Sequence, residues 1–384
     1  AVHGAINMLM RYALTLDHKY ARRVYPFLKS VADFWEDDLV LDGETYRIVD
    51  DGMHERTTAE TERSGVPENA TNSLGYLKTF FTMMPEISAA LGLDESKHTI
   101  WRSIAHRLSP YACGTLAQLD PDNAMWRNQG TQLTELLPDD LCHMKVFYNE
   151  EKGSQWSLSF PANIMHIYPA GAIGLDSPDE LLEMARNTIT VRSAQEKALA
   201  VKRAAANGQF AGRHIKTGAW NDTNISCLFF PAAVRVGYDP EIIWQELKNR
   251  IEQVGMPNGF IHDNPHGIEN LSTVPNTLQE MMLLSHEGII RLFRVWPRKS
   301  HPNARFEKLW AYGAFQVSAA LCNGTVTDLK ITSCKGQDCV LENPWPGKPV
   351  QVIREPSGQQ DVFVGARFYI PTHQGETLLI QTYD

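Results

Sequence analysis

The spacing of apolar residues changes once along the chain, near residue 288, and this change limits the folds open to it. Before that point, apolar residues recur at intervals of three and four, which predicts about ten helices that each bury one face. After it, short segments rich in β-branched and aromatic residues alternate with Gly, Pro and Asn turns, which is typical of antiparallel strands. The pattern predicts a mainly α protein, with a helical domain at 1–288 and a small β domain at 289–384.

Several of the predicted helices have recognisable ends. Asp239 and Pro240 form a helix start, and Gly255 ends the same helix. Ser177 and Glu180 have the spacing of a capping box before another helix. Antiparallel helical hairpins joined by long polar loops are one way to build a toroid whose loops line a central cavity. We therefore expect the chemistry to lie in loops at helix starts.

The composition argues against several classes of partner. With 384 residues, of which 43% are hydrophobic, the chain is long enough for more than one domain. Its 36 basic and 45 acidic residues give a net charge of −9 without long runs of either sign. This balance argues against nucleic acid or an anionic membrane as the main partner. No apolar run approaches the ~20 residues that a membrane-spanning helix needs.

The first residues of the chain, 1–17, include neither an initiator Met nor a signal sequence. Their apolar residues already follow helical spacing, so the chain begins inside a predicted element. We expect a fragment or a processed subunit, with an additional N-terminal domain or chain as a partner. A secreted or periplasmic location is expected.

The six cysteines give little guidance on cofactors. Only Cys334 and Cys339 lie close together, at a spacing that would allow a hairpin disulfide. The sequence contains no zinc-like C-x-x-C pair. No metal site is predicted.

Two polar loops, each directly before a predicted helix, concentrate acidic and histidine side chains. The first, 259–272, contains His262, Asp263, His266 and Glu269, the last of them expected just outside the start of the next helix. The second loop contains Asp50, Asp51, His54, Glu55, Glu60, Glu62 and Glu68. A glycosidase needs one acid to protonate the leaving oxygen and one base to activate water, so two such loops suit glycoside hydrolysis.

Longer stretches of the sequence resemble one enzyme family. The segment IENLSTVPNTLQEMMLLSHEGIIRLFRVWPR, at 268–298, resembles the end of the catalytic domain in glycoside hydrolase family 95, the inverting α-L-fucosidases and related galactosidases. Within it, residues 280–288 are similar to the family's E-M-L-L-Q-S-H-E-G. Segments at 16–35, 69–94 and 165–189 are similar to other stretches of the family, in the same order. The resemblance covers nearly the whole chain.

The resemblance implies a fold and a mechanism. The fold would be an (α/α)6 toroid of the six-hairpin glycosidase type, lacking its first helices here, followed by an antiparallel β-sandwich. The reaction would be hydrolysis with inversion, which needs no metal or cofactor, on an L-fucose, L-galactose, galactose or related residue of an oligosaccharide or polysaccharide. Glu269 falls on the family's catalytic Asp, and Glu55 lies at the spacing of its general-acid Glu. Glu68, whose Pro-Glu-Asn letters match the family's, is the alternative acid.

Further residues are candidates for contacts with substrate. His54 and His266 could orient a carboxylate or bind a sugar hydroxyl, and Asp263 is a fallback base. Trp220 lies where the resemblance places a Trp-containing segment, and it could stack on a sugar ring or be a core residue at a helix start. Cys227 is expected to be buried packing rather than a nucleophile.

The sequence also departs from the family, and other functions stay open. A polar run of the family is replaced by largely apolar residues at 158–163, and the catalytic Asp becomes the longer Glu269. One alternative is a polysaccharide lyase, which would abstract a proton with Tyr168 or with a loop histidine (His54, His262 or His266). The other is a non-catalytic carbohydrate-binding protein on a degenerate hydrolase fold.

Overall fold

The structure is a computed structural model that describes residues 1–51, 65–119, 136–156, 161–206, 220, 226–262 and 267–383, except for the side chains at 196 and 199–206. Its helices are α1 (Val2–Thr15), α2 (His18–Asp38), α3 (Thr71–Leu91), α4 (His98–Arg107), α5 (Asp139–Cys142), α6 (Asp179–Ala206), α7 (Ser226–Arg235), α8 (Pro240–Val254) and α9 (Thr273–Met282). Short 3-10 helices lie at Glu95–Lys97, Leu116–Gln118, Ala162–Ile164 and Ile268–Ser272.

The strands fall into two groups along the chain. Short strands accompany the helices: β1 (Val40–Asp42), β2 (Thr45–Arg47), β3 (Cys113–Gly114), β4 (Val146–Phe147), β5 (Leu283–Leu284) and β6 (Arg291–Leu292). Longer strands follow them: β7 (Ala304–Ala311), β8 (Phe315–Cys322), β9 (Thr325–Ser333), β10 (Cys339–Glu342), β11 (Val350–Glu355), β12 (Gln360–Phe363), β13 (Arg367–Ile370) and β14 (Thr377–Thr382).

The first four helices share one hydrophobic cluster, in which α3 packs against α1, α2 and α4. Helix α2 shows how the sequence produces this arrangement. Asp17 caps it, because its Oδ1 accepts hydrogen bonds from the amides of Lys19 at 2.9 Å and Tyr20 at 3.2 Å. The apolar stripe that contains Val24 and Leu28 is buried, as the helical spacing predicted.

The C-terminal region contains a six-stranded antiparallel sheet in the order β12-β11-β14-β9-β8-β7, and β10 pairs separately with β13. In β8, Phe315, Val317, Ala319 and Leu321 are buried, while the residues between them are half-buried. This alternation places every second side chain on one covered face. These buried residues of β8 belong to a second hydrophobic cluster, which also includes residues of α6 and α7. The helical and β regions therefore share a core.

The predicted order, helices first and a sheet-rich region after them, is confirmed. The change from helices to strands comes slightly before residue 288, because α9 ends at Met282 and β5 begins at Leu283. The helix cap at Asp239 is also confirmed, since its Oδ1 accepts from the amides of Glu241 at 2.8 Å and Ile242 at 3.4 Å. The division into two domains at residue 288 stays a prediction.

The capping box predicted at Ser177 is wrong. Helix α6 begins at Asp179, and the Ser177 hydroxyl accepts a hydrogen bond from the Gly174 amide at 3.0 Å, on the other side of the turn. Glu180 pairs instead with Lys145 at 2.6 Å, a residue that only the tertiary fold brings near. A capping box needs the Ser177 hydroxyl to accept from an amide of the helix, but here the hydroxyl accepts from the Gly174 amide of the preceding turn instead.

Cys334 and Cys339, whose spacing would allow a disulfide, are both free thiols in the structure. Cys339 is buried, and burial raises its pKa to about 12. None of the helices in the described part of the chain has the length and apolar character needed to cross a bilayer.

Candidate active site

A cavity of about 660 Å³ opens where α1 and the start of α3 meet the 3-10 helix that precedes α9. Its walls also take residues from the segment at 165–169 and from the start of α7. Asp51 and Glu269 are the carboxyl-bearing residues among the described side chains that line it. They come from the two acidic loops of the sequence, which lie more than 200 residues apart, so the fold brings parts of both loops to one place.

Glu269 occupies the turn that leads into α9. It lies in the 3-10 helix Ile268–Ser272, and the Ser272 hydroxyl donates to its carbonyl oxygen at 2.7 Å. The first residue of α9, Thr273, is tied to α7 by a hydroxyl contact of 3.3 Å with Ser226. These contacts hold the turn against the helix, so the predicted position of Glu269 just outside a helix start is confirmed.

The surroundings of Glu269 include a thiol and a guanidinium group. Burial, together with the charge of Glu269, raises the pKa of Cys227 to about 11, and the Arg250 charge opposes this. Arg250 also donates to the Asn270 side-chain oxygen at 3.2 Å, beside the catalytic candidate. Cys227 therefore remains a thiol at neutral pH, which supports its expected packing role and not a nucleophilic one.

Tyr168 lines the same cavity and is held by neighbours on two sides. The Asn276 amide donates to its hydroxyl oxygen at 3.1 Å, and the Arg235 guanidinium lies 4.7 Å from the centroid of its ring. Arg235 is buried and pairs with Glu280 at 2.7 Å. Burial raises the pKa of Tyr168 to about 12, although the Arg235 charge opposes this, so the phenol keeps its proton at neutral pH.

The second carboxyl of the cavity wall belongs to Asp51. Burial, with the charges of Asp38 and Asp50, raises its pKa, while a side-chain interaction with Ser73 and the α-ammonium of Ala1 oppose this. Its Oδ2 atom is buried and has no hydrogen-bond partner among the described residues. The hydroxyl of Tyr76, a residue that also lines the cavity, is a second buried polar atom that has no partner in the described part of the chain.

The backbone directly before Asp51 is paired with the segment at Pro67 and Glu68. Val49 forms a β-bridge with Glu68, and the Asp50 amide donates to the Pro67 carbonyl oxygen at 2.8 Å. Asp50 has a φ of 61°, a left-handed conformation that Asp tolerates better than most residues. The chain therefore turns at a hydrogen-bonded residue directly before Asp51.

Glu68, the alternative acid, holds this segment in place and does not line the cavity. Its carboxylate pairs with Arg47 and, at 2.7 Å, with Lys152. Next to it, the Asn69 side chain accepts from the Ile48 amide at 2.9 Å and donates to Glu151 at 2.6 Å. The Pro-Glu-Asn letters thus belong to a structural cluster, and the contacts of Glu68 do not support a role as proton donor.

Trp220 needs a correction. Its side chain has no exposed surface, its indole N–H donates to the Ser193 hydroxyl at 2.8 Å, and its ring packs against Phe229 and Phe230 with centroids 4.7 and 4.9 Å away. A sugar cannot stack on a fully buried ring, so the core alternative for Trp220 is the one that agrees with the structure.

Several predicted residues are not brought into this geometry. Four of them, His54, Glu55, Asp263 and His266, lie outside the described residues. His262 is exposed and is absent from the lining of the cavity. In the described part of the chain, no group of three or more His, Cys, Asp or Glu side chains could hold a metal ion.

The sequence interpretation singled out neither Asp51 nor Ser73 and Tyr76. Asp51 is one of seven acidic and histidine residues in its loop, and nothing in the amino-acid sequence distinguishes it from the others. The features that do separate it, a buried carboxyl oxygen and a place in the wall of the cavity, exist only after folding.

Comparison with known proteins agrees with the expected family. The sequence model of the Glycosyl hydrolase family 95 catalytic domain matches residues 3–212, which include Asp51 and end before the turn that carries Glu269. Among solved structures, the chain is similar to a putative kojibiose phosphorylase from the human microbiome, at 10% identity and a TM-score of 0.38. That match covers 97% of this chain and 49% of the other, so the chain spans about half the length of that protein. No curated protein sequence matches the chain.

Proposed function

Since the chain belongs to glycosyl hydrolase family 95, we propose that it hydrolyses a glycosidic bond with inversion, with Glu269 as the catalytic base. The observation that carries the proposal is the cavity of about 660 Å³ that Glu269 shares with Asp51. Its volume lies within the roughly 300–1,000 Å³ usual for small-ligand sites. The substrate would be an L-fucose, L-galactose, galactose or related residue of an oligosaccharide or polysaccharide.

In the proposed reaction, Glu269 accepts a proton from a water molecule while the water oxygen forms a bond to the anomeric carbon. The bond from that carbon to the leaving oxygen breaks, and a carboxylic acid on the other side gives its proton to this oxygen. In inverting enzymes the two carboxyl groups stand about 6.5–9.5 Å apart, which leaves room for the water. The reaction requires no metal or cofactor.

The family resemblance assigns the proton donor to Glu55, which lies outside the described residues. The same resemblance is the basis for proposing an (α/α)6 toroid for the helical region. The antiparallel sheet would then form the accompanying β-sandwich domain. A polar cavity wall, in which Tyr168 and Asn276 are hydrogen-bonded to each other, suits contacts with sugar hydroxyl groups.

The test is sugar release by the parent chain and by Glu269→Gln, measured on aryl α-L-fucosides, α-L-galactosides, α- and β-D-galactosides and plant and algal oligosaccharides. The variant should lose at least about 10²- to 10⁴-fold in kcat/KM on whichever substrate the parent cleaves, because the base is gone. Glu252→Gln is the matched control, since Glu252 is an exposed glutamate that pairs with Lys248 on α8. An active parent whose Glu269→Gln variant keeps full activity would contradict the assignment.

A polysaccharide lyase is less consistent with the site. A lyase that used Tyr168 as its base would need the phenolate, and burial raises the pKa of this tyrosine to about 12. The ultraviolet absorbance of an unsaturated product would nevertheless reveal a lyase in the same assays. Saturable sugar binding without turnover would instead indicate the non-catalytic binding protein.

A further inference from the structure

We infer that Asp51 is the proton donor of this site, the role that the family resemblance gives to Glu55. The inference rests on the proposed function and deepens it. In the proposed reaction Asp51 enters as a carboxylic acid, gives its proton to the leaving oxygen as the bond to the anomeric carbon breaks, and ends as a carboxylate. Glu269 ends protonated, so the two groups exchange charge in each cycle.

The first argument is placement. Asp51 and Glu269 line the same cavity, although they come from opposite ends of the helical region. The backbone before Asp51 is fixed by the β-bridge between Val49 and Glu68 and by the hydrogen bond from the Asp50 amide to Pro67. A donor must be held in position during the reaction, and the paired backbone before Asp51, together with the interaction of its carboxyl with Ser73, contributes to this.

The second argument is the state of the carboxyl oxygen. Within the described residues, Oδ2 of Asp51 is buried and has no hydrogen-bond partner. A buried carboxylate oxygen without a partner is costly, so this position favours the carboxylic acid, the form that a proton donor needs. A carboxylate with a structural role is instead paired with cations, as Glu68 is with Arg47 and Lys152.

The third argument is the protonation state. Burial favours the protonated form of Asp51 most strongly, and the neighbouring carboxylates of Asp38 and Asp50 act in the same direction. The Ser73 hydroxyl and the α-ammonium of Ala1 act against it, and the net effect is a raised pKa. A general acid must hold its proton near the working pH, so this environment suits the donor role.

A role as a helix cap does not account for the same observations. Helix α3 has Ala70 at its N-cap, without a capping side chain, and the amide of Thr71 donates to the Asn149 carbonyl oxygen at 2.8 Å. Among the described residues, no hydrogen bond runs from a backbone amide of α3 to the Asp51 carboxyl. Asp51 is therefore not needed to satisfy the start of this helix.

The experiment compares Asp51→Asn and Glu55→Gln on aryl glycosides of the sugar that the parent cleaves, from a phenol leaving group to 2,4-dinitrophenol. A poor leaving group needs the proton and a good one does not. Asp51→Asn should therefore lose about 10²- to 10⁴-fold in kcat/KM on the phenyl glycoside and less than about 10-fold on the dinitrophenyl glycoside. Its pH profile should also lose the alkaline limb.

Asp50→Asn is the matched control, because Asp50 is exposed and its left-handed backbone conformation also suits Asn. It should keep the parent's weak dependence on the leaving group, while its alkaline limb moves to lower pH because a charge that favours protonated Asp51 is removed. Thermal unfolding of each variant verifies that the fold survives.

Two results would overturn the inference alone: an equal loss on all leaving groups in Asp51→Asn, or the leaving-group signature appearing in Glu55→Gln instead. A parent that cleaves none of the substrates would overturn the proposed function together with the inference that rests on it. The two failures are therefore distinguishable.

Discussion

Two carboxyl groups of one loop, at Asp51 and Glu68, are in opposite environments. Glu68 is enclosed by cations, with Arg47 and Lys152 paired to its carboxylate. Asp51 is largely buried near the carboxylates of Asp38 and Asp50, and one of its oxygens has no hydrogen-bond partner among the described residues. A residue can therefore match a family motif in sequence without having the catalytic role of that motif. The charges and hydrogen bonds around each carboxyl distinguish a structural residue from a chemical one.

The largest expected difference between the two carboxyls is in catalysis. Glu68→Gln should leave kcat/KM within about threefold of the parent, whereas Asp51→Asn should lower it about 10²- to 10⁴-fold on a poor leaving group. Both variants replace a carboxyl group by an amide of the same shape, so steady-state kinetics on one phenyl glycoside compares them directly. A larger loss in Glu68→Gln than in Asp51→Asn would reverse the assignment of the two residues.

The next largest effect concerns the stability of the structural cluster. Asn69→Ala should lower the free energy of unfolding by about 2–3 kcal/mol, because it leaves the buried Ile48 amide without its acceptor and removes the bond to Glu151. Asn69 also has a φ of 52°, which Ala adopts less readily. Urea unfolding measures the change. Asn69→Gly, which permits this backbone conformation, should recover part of the loss, and an unchanged midpoint in both variants would contradict this account.

A smaller loss of stability is expected for Glu68→Gln. Lys152 is largely exposed, so its pair with Glu68 is screened by solvent, and the pair with the less exposed Arg47 dominates. The expected loss is about 1 kcal/mol, and it should shrink as salt is added, because the interaction is between charges. Unfolding in low and high salt checks this, and a salt-independent loss would indicate packing rather than ion pairing.

The smallest effect is a pH dependence of stability at Asp51. Its raised pKa means that the folded state binds the proton more tightly than the unfolded chain does. Stability is therefore lost as pH rises from the unfolded pKa of about 3.9 through the higher folded value. Asp51→Asn should remove this loss, so its Tm should exceed that of the parent near pH 8 and equal it near pH 4. A gain of the same size at both pH values would contradict the raised pKa.

The parts of the fold that depend on local signals could be predicted from the sequence. Asp239 and Pro240 start α8 as expected, and Glu269 lies just before α9, because a cap or turn and the helix beside it are set by neighbouring residues. The capping box at Ser177 failed because Gly174 competes for the hydroxyl and the fold brings Lys145 to Glu180. Local signals fail where a tertiary contact outweighs them.

The candidate site was less predictable than the helices. The amino-acid sequence indicated two acidic loops, and one residue of each, Asp51 and Glu269, lines the same cavity in the structure. The sequence could not show that Glu68 would form ion pairs or that Trp220 would be buried, since both depend on residues far away in the sequence. Burial and charge are properties of the folded chain, and they separate residues that a motif treats alike.

The most direct test of the central claim, that the cavity of Glu269 and Asp51 is the site of an inverting glycosidase, is to follow the first product by proton NMR. The account predicts that the anomer opposite to that of the substrate appears first and mutarotates later. It also predicts that this signal is lost in Glu269→Gln and kept in Glu252→Gln. Initial release of the retained anomer, an unsaturated product, or undiminished turnover in Glu269→Gln would contradict it.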